Sequence, residues 1–143
     1  MKVLHVAHNH PPEFHGGVER YVESLCASLA DAGWESVVLS GSEEYASEPG
    51  TTEEEWRGVR VLRLRSGPGL RNPADAFDAG SAPIYEGVLD DVAPDLVHVH
   101  HWWNLTDDLV RRAVARGIPT VVTLHDFFST CSLFFRMPDG VTP

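Results

Sequence analysis

The sequence has little cysteine and no long apolar run. Its two cysteines, Cys26 and Cys131, lie far apart and show no CxxC spacing. A disulfide-stapled scaffold and a cysteine-based zinc site are therefore excluded, and we predict two free thiols in a reducing compartment. No segment approaches the ~20 apolar residues that a membrane helix needs, and the start has no signal-peptide pattern, so we expect a cytoplasmic protein.

Positive charge is also scarce. The 143 residues contain 11 lysines and arginines against 21 aspartates and glutamates, which gives a net charge of -10. Such a balance repels phosphate backbones and anionic lipids, so nucleic-acid or membrane-surface binding through overall charge is excluded. The length suits one domain, and we treat residues 1–143 as a single unit.

The sequence does contain alternating strand-like and helix-like segments. Apolar residues at helical spacing predict helices that begin near residues 17, 81 and 106. Residues 43–56 are acidic and polar and are expected to form a surface loop, whereas the alternating run 59–64 favours a half-exposed edge strand. Apolar or β-branched runs predict the other strands, at 3–7, 36–40, 96–100 and 120–124. This order is typical of a doubly wound parallel sheet, a Rossmann-like three-layer α/β/α fold.

Details of the helices follow from the same spacing. In the first helix, Glu19 and Glu23 lie off the apolar stripe, and Gly33 suits the left-handed residue that ends the helix. In the third helix, the stripe expected to be buried consists of Leu109, Val110, Ala113 and Val114.

Polar residues concentrate where three of the predicted strands end. The carboxyl ends of parallel strands meet at one edge of the sheet, where the ligand crevice of this fold opens. If the five strands have the order 3-2-1-4-5, the crevice lies between the first and the fourth. The residues at this edge are His8, Asn9 and His10 after the first strand, His98, His100 and His101 at the fourth, and His125 and Asp126 after the fifth.

Two glycines, Gly16 and Gly17, directly precede the first helix. They let the backbone approach a ligand closely and present free N–H groups that suit an anion such as phosphate. The alternative is a glycine-rich turn without a ligand. The loop is not GxGxxG, and no acidic residue ends the second strand where ribose would bind, which disfavours a dinucleotide enzyme.

The histidines of the fourth strand share one face, because His98 and His100 alternate with valines. His98 and His5 sit deeper and are interpreted as core residues, whereas His100 and His101 at the strand end are better placed for a ligand. The rings of Trp102 and the next tryptophan suit sugar faces, or else form a hydrophobic plug under the following helix.

His125 ends an otherwise apolar strand. There it can donate a hydrogen bond to a substrate or stabilise charge, and the alternative is a capped strand end.

Three segments together resemble glycosyltransferase family 4. Residues 11–22 are similar to its glycine-glycine loop, and residues 94–100 (PDLVHVH) to its strand of the pattern PD-hydrophobic-hydrophobic-H-x-H. Residues 123–128 (TLHDFF), with Cys131 downstream, are similar to its T-x-H-D segment. The resemblance spans nearly the whole chain with the motifs in the family's order.

The resemblance implies the amino-terminal, acceptor-side domain of a retaining GT-B glycosyltransferase. Such an enzyme moves a hexosyl group from a nucleotide-sugar to a sugar, lipid or small-molecule acceptor, without metal or cofactor. Gly16 and Gly17 would approach the donor diphosphate or the reacting sugar, and His125 would act as the catalytic residue near the anomeric centre. From their positions, the acceptor side is expected to be lined by Asn9, Glu13, His15, His100, His101, Trp102, Asn104 and Asp126.

The family's carboxyl-terminal, donor-binding domain has no counterpart in these 143 residues. We therefore expect the chain alone to be inactive. An uncovered last strand and the aromatic residues after it predict a homodimer or a tail that packs back. The sequence leaves open the donor sugar, its nucleotide and the acceptor.

Two other interpretations remain. The HxH spacing of residues 8–10 and 98–100, with Asp126 nearby, also fits a metal-dependent hydrolase. Carboxylates are few, however, and the glycine-glycine step would have no role in a hydrolase. A non-catalytic binding module would share the fold and lack the chemistry.

Overall fold

The computed structural model describes residues 1–42, 49–65, 81–103, 105–127 and 129. The predictions made for Asn104, Phe128 and Cys131 lie outside these residues. In chain order the elements are β1 (Lys2–Ala7), α1 (Gly17–Asp31), β2 (Glu35–Gly41), β3 (Gly50–Trp56), β4 (Val59–Arg65), α2 (Ser81–Val92), β5 (Leu96–Val99), α3 (Leu109–Ala115) and β6 (Thr120–Val122).

Within the described residues, six strands form one sheet in the order β3-β4-β2-β1-β5-β6, and only the β3–β4 pair is antiparallel. The five strands predicted from the sequence therefore have the order 3-2-1-4-5, and the predicted α/β fold class is confirmed. β1 lies beside β5, with Val3 opposite Leu96 and Val6 opposite Val99. In a sheet of this topology, the ligand crevice is expected at the carboxyl ends of these two central strands.

The prediction of a surface loop up to residue 56 was wrong, because β3 is a strand and forms the sheet edge in place of β4. Arg57 and Gly58 both have positive φ, 51° and 80°, which allows a two-residue hairpin turn between β3 and β4. The acidic residues of β3 then face arginines: Arg60 donates to both carboxylate oxygens of Glu53, at 3.0 and 2.8 Å. The polar sequence of β3 therefore gave no strand signal, because the strand is stabilised by contacts with the neighbouring β4.

The two faces of the sheet differ in polarity. One face carries a large apolar cluster that joins the strands to α2 and α3, and the other carries a small cluster beneath α1. Because side chains alternate along a strand, His5 lies opposite the apolar-cluster residues Leu4 and Val6, and His98 and His100 lie opposite Val97 and Val99. The histidines of β1 and at the end of β5 therefore share the α1 face.

Two predictions for the helices need correction and one is confirmed. Gly33 does adopt the left-handed conformation after α1, with φ of 77°. Glu19 is 1% exposed, because it faces the His8 side chain. In the seven-residue α3 only Leu109 and Ala113 face the core, so Val110 and Val114 remain on the surface. None of the helices in the described ranges is long and apolar enough to cross a membrane.

Candidate functional site

The candidate site lies at the carboxyl edge of β1 and β5, where α1 begins. The backbone N–H of His100 donates to the Val6 carbonyl at 2.8 Å, and the N–H of Thr123 donates to the Val99 carbonyl at 2.9 Å. These bonds extend the sheet past the strand ends. They bring the segment after β6 level with the end of β5.

Three imidazoles form a contiguous group at this edge. Nδ1 of His5 lies 3.2 Å from Nε2 of His100, and Nδ1 of His100 lies 3.3 Å from Nε2 of His125. The ring of Tyr21, on the second turn of α1, packs edge-on against His100 and His125 at centroid distances of 5.7 and 5.0 Å. The start of α1, the end of β5 and the segment after β6 therefore meet, as the sequence predicted. Tyr21 was not singled out, because a lone aromatic residue beside an apolar stripe gives no specific signal.

Burial keeps these imidazoles neutral. Desolvation, followed by the neighbouring imidazoles, lowers the pKa of His5 to about 4 and that of His100 to about 2. Desolvation also lowers the pKa of the less buried His125. A neutral imidazole has one N–H and one lone pair, so each of these rings is both a donor and an acceptor.

The expected order of depth along β5 was wrong. His98 was predicted to be the deeper core residue, yet it is half-buried while His100 is 1% exposed. His100 is enclosed by His5, His125 and Tyr21. His98 faces the β6 side instead, where its Nε2 lies 2.8 Å from Oγ1 of Thr123.

A second polar group lies beside the first and combines two carboxylates with two imidazoles. Nε2 of His8 is 3.4 Å from Oε1 of the buried Glu19, and Nε2 of His101 is 3.3 Å from Oδ2 of Asp126. The two imidazoles stack obliquely with centroids 4.4 Å apart. The backbone N–H of Trp103 donates to Nδ1 of His101 at 3.0 Å, so the neutral ring carries its proton on Nε2, toward Asp126. His101 and Asp126, both predicted site residues, are thus direct neighbours.

Burial dominates the electrostatics of this second group. It lowers the pKa of His8 to about 4, with a further lowering from His101 and an opposing contribution from the Glu19 and Asp126 carboxylates. Glu19 is a functional candidate that the sequence interpretation missed. The available signal was an acidic residue in the first turn of a helix, where the backbone dipole stabilises negative charge.

The two glycines before α1 have different surroundings. A Cβ at Gly16 would lie 2.5 Å from Oε2 of Glu19 and 3.0 Å from the Phe14 ring, whereas a Cβ at Gly17 would meet no atom of the described residues within 4 Å. Internal crowding alone therefore explains the glycine at 16. Gly17 borders open space at the helix start, which leaves room for a ligand to approach the backbone.

The other predicted residues divide between this edge and a neighbouring groove. Asn9 is buried, and its Oδ1 has no hydrogen-bond partner among the described residues. Glu13 accepts a hydrogen bond from Ser42 at 3.0 Å. The His15 ring lies 6.3 Å from that of Trp56, in a groove of about 600 Å³ between α1 and the β3–β4 turn. That groove is lined by neither His100 nor His125.

Trp102 matches the alternative interpretation. Its ring packs against the apolar cluster under α2 and α3, as expected of a hydrophobic plug. The same ring also lies 5.9 Å from that of His101, and the ring of Trp103 lies 6.0 Å from that of His8. Both tryptophans therefore border the second polar group, and the role of Trp102 in the acceptor pocket stays a prediction.

Arg63 holds the loop that leads into α1. This side chain on β4 is buried, and its guanidinium donates to the His10 carbonyl at 2.9 Å, to the Pro11 carbonyl and to Oγ of Ser40 at 3.2 Å. An arginine in an alternating strand was interpreted as half-exposed. The loop carbonyls that bury it come from a distant part of the sequence.

The described residues contain one group that is close enough to share a metal ion, namely His5, His98 and His100, with ligand atoms within 4.8 Å of one another. The group includes no carboxylate. It also differs from the set that the hydrolase interpretation requires, because His10 turns its Nδ1 toward the Pro11 carbonyl at 3.1 Å. Among the described residues, the two HxH segments do not converge.

Comparison with known proteins gives concordant matches. The model of a family described as "Glycosyl transferase 4-like domain" matches residues 16–141. Glycogen synthase of Mycobacterium tuberculosis is 31% identical over 140 residues, which cover 87% of this chain and 33% of the relative. Glycogen synthase of Deinococcus radiodurans is 31% identical over 152 residues, with 88% and 33% covered. The chain thus spans about a third of the length of these relatives.

Solved structures share the fold. The catalytic domain of starch synthase IV from Arabidopsis thaliana, bound to ADP and acarbose, matches with a TM-score of 0.55 and 17% identity, covering 87% of this chain and 34% of that one. The α,α-trehalose 6-phosphate synthase from Burkholderia multivorans matches with a TM-score of 0.58 and 16% identity, covering 86% and 32%.

Proposed function

Because the chain belongs to the glycosyl transferase 4-like family, we propose that it is the amino-terminal, acceptor-side half of a retaining GT-B glycosyltransferase. In the complete enzyme a hexosyl group passes from a nucleotide-sugar to an acceptor held mainly by this half. The observation that carries the proposal is the meeting of the α1 start with His100 and His125 at one edge of the sheet. A cytoplasmic location remains a prediction of the sequence.

The chemistry of sugar transfer explains why these groups suit the task. As the bond to the leaving phosphate breaks, negative charge grows on the phosphate and positive charge grows on the sugar ring. Free N–H groups at a helix start stabilise the former, and Gly17 leaves space for the phosphate to approach. His125, neutral and half-buried, can donate a hydrogen bond to a sugar oxygen without bringing a positive charge near the developing cation.

The acceptor is proposed to lie beside the second polar group, formed by Glu19, His8, His101 and Asp126. Carboxylates and neutral imidazoles together offer both acceptors and donors, which is what sugar hydroxyls require. In the sequence His101 follows His100 and Asp126 follows His125, so the His101–Asp126 pair lies at the same edge. We expect no cofactor and no metal, and elemental analysis of the purified chain tests this: a stoichiometric metal would favour the hydrolase.

The test follows ligand binding to the ¹⁵N-labelled chain by NMR. The probes are ADP-glucose and UDP-glucose as donors, and maltose and glucose 6-phosphate as acceptors. We expect weak binding, with the donor shifting the signals of Gly17, Tyr21 and His125. Signals that move only in the groove near His15 would contradict the proposal.

A matched pair of variants separates function from folding. Gly17→Ala and Gly87→Ala each add a methyl group in open space, so both should keep the stability of the parent chain or raise it slightly. Only Gly17→Ala should weaken donor binding severalfold, because only that methyl group stands where the phosphate approaches. Equal donor affinities in both variants would count against a phosphate position beside Gly17. Rapid sugar transfer by the chain alone would refute the proposal that it is only half of the enzyme.

A further inference from the structure

The imidazole group at the site continues inward as a chain of hydrogen-bond contacts. Beyond His100 and His5, Oγ of Ser36 on β2 lies 3.4 Å from Nε2 of His5. The Ser36 hydroxyl also lies close enough to the Cys26 thiol of α1 to lower its pKa, against the larger effect of burial. The chain therefore runs from the half-buried His125 through two buried rings to a hydroxyl beneath α1.

The chain couples the tautomers of its members. Both ring nitrogens of His5 and of His100 are engaged, and each neutral ring has one donor and one acceptor. Only two patterns satisfy every contact. If Ser36 donates to His5, all protons lie on Nδ1 of successive rings, and if Ser36 accepts, all lie on Nε2.

The inner end favours the first pattern. Burial raises the pKa of the Cys26 thiol to about 11, so the thiol keeps its proton. Sulfur is a weak acceptor, so the proton of the Ser36 hydroxyl is better used on Nε2 of His5 than on the sulfur. His5 then donates from Nδ1 to Nε2 of His100, and His100 donates from Nδ1 to Nε2 of His125.

We propose that Ser36, His5 and His100 are positioning residues that hold His125 in its Nδ1–H tautomer. The ring nitrogen of His125 outside the chain is then fixed as a hydrogen-bond donor, which matches an oxygen of the donor sugar. The identity of that ligand rests on the proposed function, whereas the tautomer does not. Tyr21 packs against both outer rings and limits their exposure to water, which would otherwise compete for these bonds.

His98 provides an internal comparison. It lies on the same face, with its ring centroid 3.9 Å from that of His100, but its Nε2 contacts Oγ1 of Thr123 rather than a member of the chain. Removing the Thr123 hydroxyl therefore perturbs a nearby imidazole without breaking the chain, although Thr123 is only two residues from His125.

The experiment measures the tautomer of each ring by two-bond ¹H–¹⁵N NMR on the 143-residue chain at pH 7.5, without ligand. We expect the Nδ1–H form at His5, His100 and His125. Ser36→Ala should reduce the Nδ1–H fraction of His125 severalfold, across two intervening rings. Ser36→Thr keeps the hydroxyl and should restore the Nδ1–H fraction of His125. Thr123→Val should alter the tautomer of His98 but not that of His125.

Each of the following results would contradict the proposed control of the His125 tautomer. An Nε2–H form of His125 in the parent protein would show that the hydrogen bonds of the chain run in the opposite direction. An unchanged tautomer of His125 in folded Ser36→Ala would show that Ser36 does not control it. Stoichiometric uptake of added Zn²⁺ at His5, His98 and His100 would assign these rings to an ion site instead. Because no sugar ligand is present, these results are independent of the binding test of the proposed function.

Discussion

Replacing Arg63 with methionine removes a buried guanidinium while keeping most of the side-chain length. The buried His10 carbonyl then loses its hydrogen-bond donor, whereas the buried Pro11 carbonyl loses the guanidinium but retains its contact with Nδ1 of His10. A buried polar group left without a partner costs about 1–3 kcal/mol. This cost, together with the lost bonds to Pro11 and Ser40 and the lost ion pairs with Glu13 and Glu54, gives a loss of roughly 3–5 kcal/mol in the free energy of unfolding, similar to that for breaking a buried ion pair.

The loss is measurable by urea and thermal unfolding, followed by circular dichroism. For a chain of this size each kcal/mol lowers Tm by about 3 °C, so Tm should fall by roughly 10–15 °C. Arg60→Met is the matched control on the same strand, because its exposed partners Glu53 and Asp91 stay hydrated after the change. Equal losses in the two variants, or a loss below about 1 kcal/mol for Arg63→Met, would refute the reasoning.

Three further predictions use other parts of the molecule. The lowered pKa values of His5 and His100 mean that the unfolded chain binds more protons than the folded one below about pH 6.5, so stability should fall from pH 6.5 toward pH 4; equal urea midpoints at pH 7.5 and 5 would contradict this. The buried hydroxyl of Tyr85 has no hydrogen-bond partner within the part of the chain that the structure describes, so Tyr85→Phe should leave Tm unchanged or raise it. β6 ends the described sheet with Val121 exposed, so the chain should dimerise in sedimentation and Val121→Lys should reduce dimerisation; a monomeric parent would rule this out.

The sequence predicted the elements whose own residues determine them. β1 and β2 each have a mostly apolar centre, and α1 has a clear apolar stripe and an ending glycine. β3 was missed because its glutamates are stabilised in a strand by arginines of the neighbouring β4, as Glu53 is by Arg60 and Glu54 by Arg63. That pairing depends on the register between two strands, which local composition does not contain.

The sequence predicted that polar residues at the strand ends meet at one edge of the sheet, but not how they are arranged there. Motif order and topology placed His100 and His125 at one edge, which the geometry reproduces. The relative depth of His98 and His100 depended on Tyr21, which approaches from another element. The burial of Glu19 depended likewise on His8, and neither contact has a signature in the spacing of residues along the chain.

The unequal faces of the sheet separate the residues that determine stability from those that can determine ligand preference. Most of the apolar packing lies on the α2 and α3 side, so changes on the α1 side can accumulate with little loss of stability. Mutational libraries confined to the polar side, with Arg63 kept, should therefore yield many folded members that differ in ligand preference. The same division lets related domains keep a stable apolar side while the polar side changes the ligands that it binds.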